Sequence, residues 1–161
     1  MKKQFITIPH ELRHALFFTG EEVRLPAEVS IGAYPFFIYE MLGQEQPWLS
    51  EEKGLSMIEA EWHELKMTLQ QKFEKRDQTI QEEMKAAIAL FFMELFWSNS
   101  LPVQLNGWQQ KISFLEIKPV NMKERIEFIL RRPYSYQAYI QLCELMTEQV
   151  KKIARYRVVK K

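Results

Sequence analysis

The side chains best able to do chemistry near the start of the chain are His10-Glu11-Leu12-Arg13-His14, which reads as H-E-x-x-H. On an α-helix, residues four apart share a face. His10 and His14 could then hold one zinc, or another divalent transition metal, while Glu11 activates a water as general base. His63, the remaining histidine, would complete a three-His site with an open position inside a helical bundle. A protease is disfavoured, because so few residues precede the motif and nothing nearby reads as a sheet that could form a substrate cleft. A di-iron bundle needs two E-x-x-H motifs, and Glu11 to His14 supplies one. The plainer expectation is that the two histidines play surface or capping roles, with no cofactor bound.

A second constellation lies towards the other end. Arg131, Arg132, Tyr134, Tyr136 and Tyr139 cluster, and Lys151, Lys152, Arg155, Arg157, Lys160 and Lys161 follow. Arginines among aromatic rings can hold phosphates and stack on bases, and cations near a helix C-terminus also suit its dipole. The plainer alternative is a solvated tail with the tyrosines in the core. Glu144 and Glu148 dilute the polar face and argue against membrane-surface binding. Cys143 falls on an apolar stripe, which implies a buried, inert thiol. Glu94 stands inside the most apolar stretch, where an unpaired charge is costly; the expectation is a helix edge or a pairing with Lys or Arg. The glycines at 20, 32, 43, 54 and 107 form no G-x-G-x-x-G or phosphate loop, and no serine sits in G-x-S-x-G.

These groups must be positioned by a chain of 161 residues, 47% hydrophobic and 13% aromatic, which is enough for a sizeable core and points to a single domain over 1–161. Apolar residues recur at threes and fours, so the fold class is all-α, a single-domain helical bundle. Pro9 opens a first short helix that ends before Gly20, and a loop runs through Pro26 and Gly32. Pro35 opens a second helix over 36–42, with Gly43 as its stop. Ser56 with Glu59 reads as a capping box launching a long helix. Its stripe Ile58, Trp62, Leu65, Leu69, Phe73 resumes at Ile80, Met84, Ile88, Phe91, Leu95, with a break expected near Asp77. The second half, about residues 79–98, is apolar nearly all round and should be the central helix. Asn106-Gly107 is a turn signal, for which helix or loop is expected over a hairpin. Asn121 with Glu124 starts a helix that Pro133 must stop, and Ser135 caps the last helix.

Total charge is nearly balanced, but its distribution is not: residues 21–64 carry ten acids against two bases, and residues 118–161 carry eleven bases against four acids. Antiparallel helices could bring those segments together and neutralise them. A basic C-terminal end, 150–161, left in solvent would instead attract phosphates. The first residues start with charge but develop no apolar run of export length, and no stretch reaches bilayer thickness, so a cytoplasmic location is expected.

The three-His set is similar in ligand type, though not in chain order, to the DinB-like metal-dependent bundles, whose single His precedes their paired His. A broader resemblance rests on Lys118-Pro119-Val120-Asn121-Met122-Lys123-Glu124-Arg125-Ile126-Glu127-Phe128-Ile129, on Arg132-Pro133-Tyr134 and on Tyr139-Ile140-Gln141-Leu142-Cys143-Glu144-Leu145. Pro9-His10-Glu11 with Phe17-Phe18, and Pro35-Phe36-Phe37 with Pro47-Trp48, extend it over nearly the whole chain. In these segments the chain resembles the YpoC-like family of Bacillus-type bacteria. The resemblance implies no activity and carries no functional residue across. It does imply a gene neighbourhood that includes a replication-initiation protein and a DNA-repair endonuclease, which favours a DNA-linked role.

The expected function is a non-enzymatic interaction module, with a protein partner or nucleic acid meeting Arg131, Arg132, Lys151, Lys152, Arg155 and Arg157. No membrane is expected as a partner, and a homodimer face could come from Trp48 or Trp108. The alternative is a metal-dependent enzyme using His10, His14 and His63.

Overall fold

The computed structural model describes residues 5–160, without the side chains of 51 and 160. Met1-Lys2-Lys3-Gln4 and Lys161 therefore lie outside it, as does the side chain of Lys160. The described chain is mainly helical, with α1 over Ile38–Leu42, α2 over Glu51–Glu74, α3 over Gln81–Trp97, α4 over Trp108–Lys111, α5 over Met122–Arg131 and α6 over Tyr136–Lys160. A small antiparallel pair, β1 at Phe5–Thr7 and β2 at Glu22–Arg24, places Ile6 opposite Val23.

Helix α3 is the centre. Every residue from Ala86 to Trp97 is buried, as an all-round apolar helix must be. Helices α2 and α6 pack on it from two sides. They run antiparallel, because the Tyr139 hydroxyl donates to Gln70 at 3.2 Å near one end while Met146 to Arg157 face Leu55 to Trp62 near the other. The remaining flank is aromatic: Phe17 meets Phe92 edge-on with ring centroids 6.4 Å apart, and Trp48 and Trp108 lie within 6.2 and 6.3 Å of Trp97 and Phe92. Trp48 and Trp108 are thus 7% and 3% exposed, so neither supplies a dimer face. Gly54 is required where α2 passes the preceding turn, since a Cβ there would meet the Pro47 carbonyl oxygen at 2.7 Å.

The break near Asp77 is present and has a local cause. Asp77 Oδ1 accepts the Thr79 N–H at 2.8 Å and its hydroxyl at 2.6 Å, which turns the chain between α2 and α3. Gly107, at φ +72, sits at the start of α4, so the Asn-Gly signal makes a helix start and no hairpin. Ser135 caps α6, its hydroxyl accepting the Ala138 N–H at 3.1 Å.

Other elements differ from expectation. Ser56 lies inside α2, which begins at Glu51 after a turn at Pro47–Leu49, so Ser56 with Glu59 caps nothing. Asn121 precedes α5 but adopts φ +55 and makes no side-chain cap bond. The first helix shrinks to one 3₁₀ turn at His10–Leu12. Helix propagation fails there because the Glu11 carbonyl accepts the Leu105 N–H at 2.7 Å and the Asn106 N–H at 3.0 Å. The Leu16 N–H is taken by His14 Nδ1 at 3.1 Å. The strands that flank this segment are joined by the whole stretch between Thr7 and Glu22, and they have no turn signature of their own.

Candidate functional site

The histidines do not assemble. Because the backbone leaves the 3₁₀ turn after Leu12, the i, i+4 spacing of His10 and His14 places them on no common helical face. His10 lies beside the loop ahead of α4, with the Asn106 amide nitrogen 3.2 Å from its Nε2 and donating to its carbonyl at 3.1 Å. His14 tilts against Phe17, and burial lowers its pKa, as expected for a ring held neutral. His63 is exposed on α2 and Glu11 is exposed on the turn. Among the described residues no group of three or more His, Cys, Asp or Glu is placed to hold a metal ion. The zinc chemistry that the motif offers as an alternative therefore lacks its geometry among the described residues.

The basic residues separate into two places. Arg131 and Arg132 lie at the elbow between α5 and α6, around a notch with Phe128, Ser135 and Gln137, and both are exposed. Lys151 and Arg155 are exposed near the other end of α6, with Lys152 and Arg157 half-buried. Fifteen or more residues of helix at ~1.5 Å each put the two groups roughly 20–30 Å apart. The tyrosines near the elbow belong partly to the core: Tyr139 is 1% exposed, and Tyr136 packs on Phe73 with centroids 5.3 Å apart. Arg125 is occupied between α5 and α6, donating to Glu148 at 2.8 Å and to Gln141 at 3.1 Å. Cys143 is half-buried, against the buried thiol that its stripe implies, and burial raises its pKa, which favours the thiol over the thiolate.

The site that the sequence only hinted at is a groove of about 430 Å³ between α2 and α6, with α3 as its floor. Its walls are Leu55, Ile58 and Trp62 from α2 and Met146, Val150 and Ile153 from α6. The floor presents Glu94, only 5% exposed, which lies on no edge of its helix and accepts no hydrogen bond among the described residues. Burial pushes its carboxyl up to about 7, and the neighbouring Glu59 adds to the rise while Arg157 opposes it. Glu59, Lys151 and Arg157 form the polar rim. Here one acid of α2, Glu59, shares a groove with Lys151 and Arg157 of α6, while Arg155 is exposed outside it.

A second buried carboxylate, Glu40 on α1, has no signal in the sequence. Its Oε2 accepts the Trp97 indole N–H at 2.6 Å and the Val103 N–H at 3.0 Å, while Oε1 is buried with no partner among the described residues. Burial raises it to about 7 against the lowering pull of those two donors. It fastens α1 to the end of α3. Only the pairing with Trp97 marks it, and the two lie 57 positions apart in the chain.

No helix among the described residues is long and apolar enough to cross a membrane. Comparison with known proteins adds two findings. The family model described as "YpoC-like protein" matches residues 52–161, from α2 to the C-terminus. The Bacillus subtilis (strain 168) protein described as "Uncharacterized protein YpoC" is 33% identical over 125 residues, 76% of each chain. No solved structure matches the chain.

Proposed function

Because the chain belongs to the YpoC-like family, whose matched segment includes the whole of α6, we propose that it is a non-enzymatic interaction module. It works as one helical unit in the cytoplasm and meets nucleic acid through the basic end of α6. One observation carries the reading. After Glu148 no acid occurs to the end of the chain, and Lys151 and Arg155, four residues apart and so on one face, are exposed with Lys152 beside them. Glu148, the last acid along α6, is engaged by Arg125 and by the Val120 N–H at 2.7 Å, which holds it towards α5. The separation from Arg131 and Arg132 supports a contact centred on α6, with the elbow arginines reached only by a longer nucleic acid.

The test is fluorescence anisotropy with a mixed-sequence duplex across a salt series. Phosphate contacts release counterions, so affinity should fall with salt at a log–log slope of roughly 0.9 per phosphate engaged. The variant K151Q/K152Q/R155Q should lower affinity about tenfold or more at low salt and flatten the slope by about two to three. R131Q/R132Q should have the smaller effect. An absence of binding at low salt, or a slope unchanged by the triple variant, refutes the reading.

A further inference from the structure

We propose that the groove between α2 and α6 is a binding site for an elongated apolar molecule ending in a protonated amine, whose ammonium group docks on Glu94. This goes beyond the nucleic-acid reading and stands whether or not that reading holds. The volume, about 430 Å³, lies within the ~300–1,000 Å³ of small-molecule sites. Apolar walls with few placed polar groups are also what such sites present, since burial of the ligand body supplies affinity and the polar group sets orientation.

The head group follows from the floor. Glu94 is 5% exposed, borders the groove and accepts no hydrogen bond among the described residues, so its oxygens are the polar atoms that an occupant would satisfy. Arg157 on the rim pulls the carboxyl down, while burial and Glu59 push it up. A hydroxyl could donate one bond to Glu94. An ammonium donates up to three and also neutralises a buried charge that Glu59 makes more costly. Trp62, on the wall, is an aromatic residue of the kind that attracts cations. A carboxylate-ended ligand would bring a like charge to Glu94 on the floor and would be met by cations only at the rim, where Lys151 and Arg157 stand with Glu59.

The experiment titrates the full-length protein with n-hexylamine, hexan-1-ol and hexanoate at about pH 8, where an alkylammonium still carries its charge. Binding is read from NMR shifts of the Trp62 indole and the Glu94 amide. Hexylamine should saturate and bind at least about tenfold more tightly than hexanol, because a buried charge-assisted hydrogen bond outweighs a neutral one. Glu94→Gln keeps the shape and should bring hexylamine down to the hexanol level. Glu59→Gln, at an exposed rim position, should weaken hexylamine a few-fold and leave hexanol unchanged. Equal binding of hexylamine and hexanol overturns the proposal, as does preference for hexanoate. So does an amine preference that survives in Glu94→Gln, or an absence of shifts at Trp62. None of these results bears on DNA affinity, so the two readings fail separately.

Discussion

Glu40 and Glu94 are both carboxylic acids removed from water, and both are pushed up to about 7 by burial. Their surroundings are opposite. Glu40, half-buried as a residue, has two donors aimed at one oxygen, so it acts as a fastener. Glu94 accepts no hydrogen bond among the described residues and borders an open groove, so its oxygens are available to something outside the chain. A raised pKa alone would have ranked the two together; what distinguishes a structural acid from a binding acid is whether its partners are already supplied by the fold.

The sharpest way to break that contrast is Glu40→Ala. It strands the Trp97 indole N–H and the Val103 N–H in the interior, and each buried orphan costs about 1–3 kcal/mol. A loss of about 2–4 kcal/mol in urea unfolding is expected, and a loss under about 1 kcal/mol would deny Glu40 its fastening role.

Glu94→Gln should act in the other direction. The folded chain holds this carboxyl at about 7 against an ordinary 4.5, so it binds the proton more tightly than the unfolded chain does. Its contribution to stability is therefore fully present below about 4.5 and is lost as pH rises through about 7. Replacing it by the uncharged isostere should stabilise the fold by about 1–2 kcal/mol at pH 8, and the gain over the parent should vanish near pH 4. A loss of stability at pH 8 would mean that Glu94 has a partner and belongs with Glu40.

The smallest effect belongs to Glu59→Gln. Removing that exposed negative charge should lower the Glu94 titration midpoint seen by carboxyl NMR, while stability shifts by under about 0.5 kcal/mol. An unmoved midpoint would leave burial as the whole cause of the rise.

The same pair shows how much of the molecule is legible in its sequence. Glu94 announces itself as the one acid in a run of apolar residues, and the central position of that helix follows from its composition alone. Its groove does not, because it depends on how far α2 and α6 stand apart over α3. Glu40 is silent in the sequence, since Tyr39 and Met41 beside it belong to a helix too short to show a period. The failure at His10 to His14 has the same origin. A local motif predicts a helix there, and the Glu11 carbonyl is instead claimed by the backbone of Leu105 and Asn106. Where the local bond itself forms, as from Thr79 to Asp77 and from Ala138 to Ser135, the expectation and the fold coincide.

Beyond α3, Asn99 holds the connecting segment with its whole amide. Its Nδ2 donates to the carbonyls of Leu95 and Ile117, each at 2.8 Å, and its Oδ1 accepts the N–H groups of Glu116 and Ile117 at 3.0 and 2.8 Å. Gln149 from α6 adds a bond to the Ile117 carbonyl at 3.1 Å. One side chain thus does for this connection what a neighbouring strand does in a sheet. The segment should resist proteolysis and shield its amides from deuterium as well as the helices do, and it should reject insertions that other connections of similar length absorb.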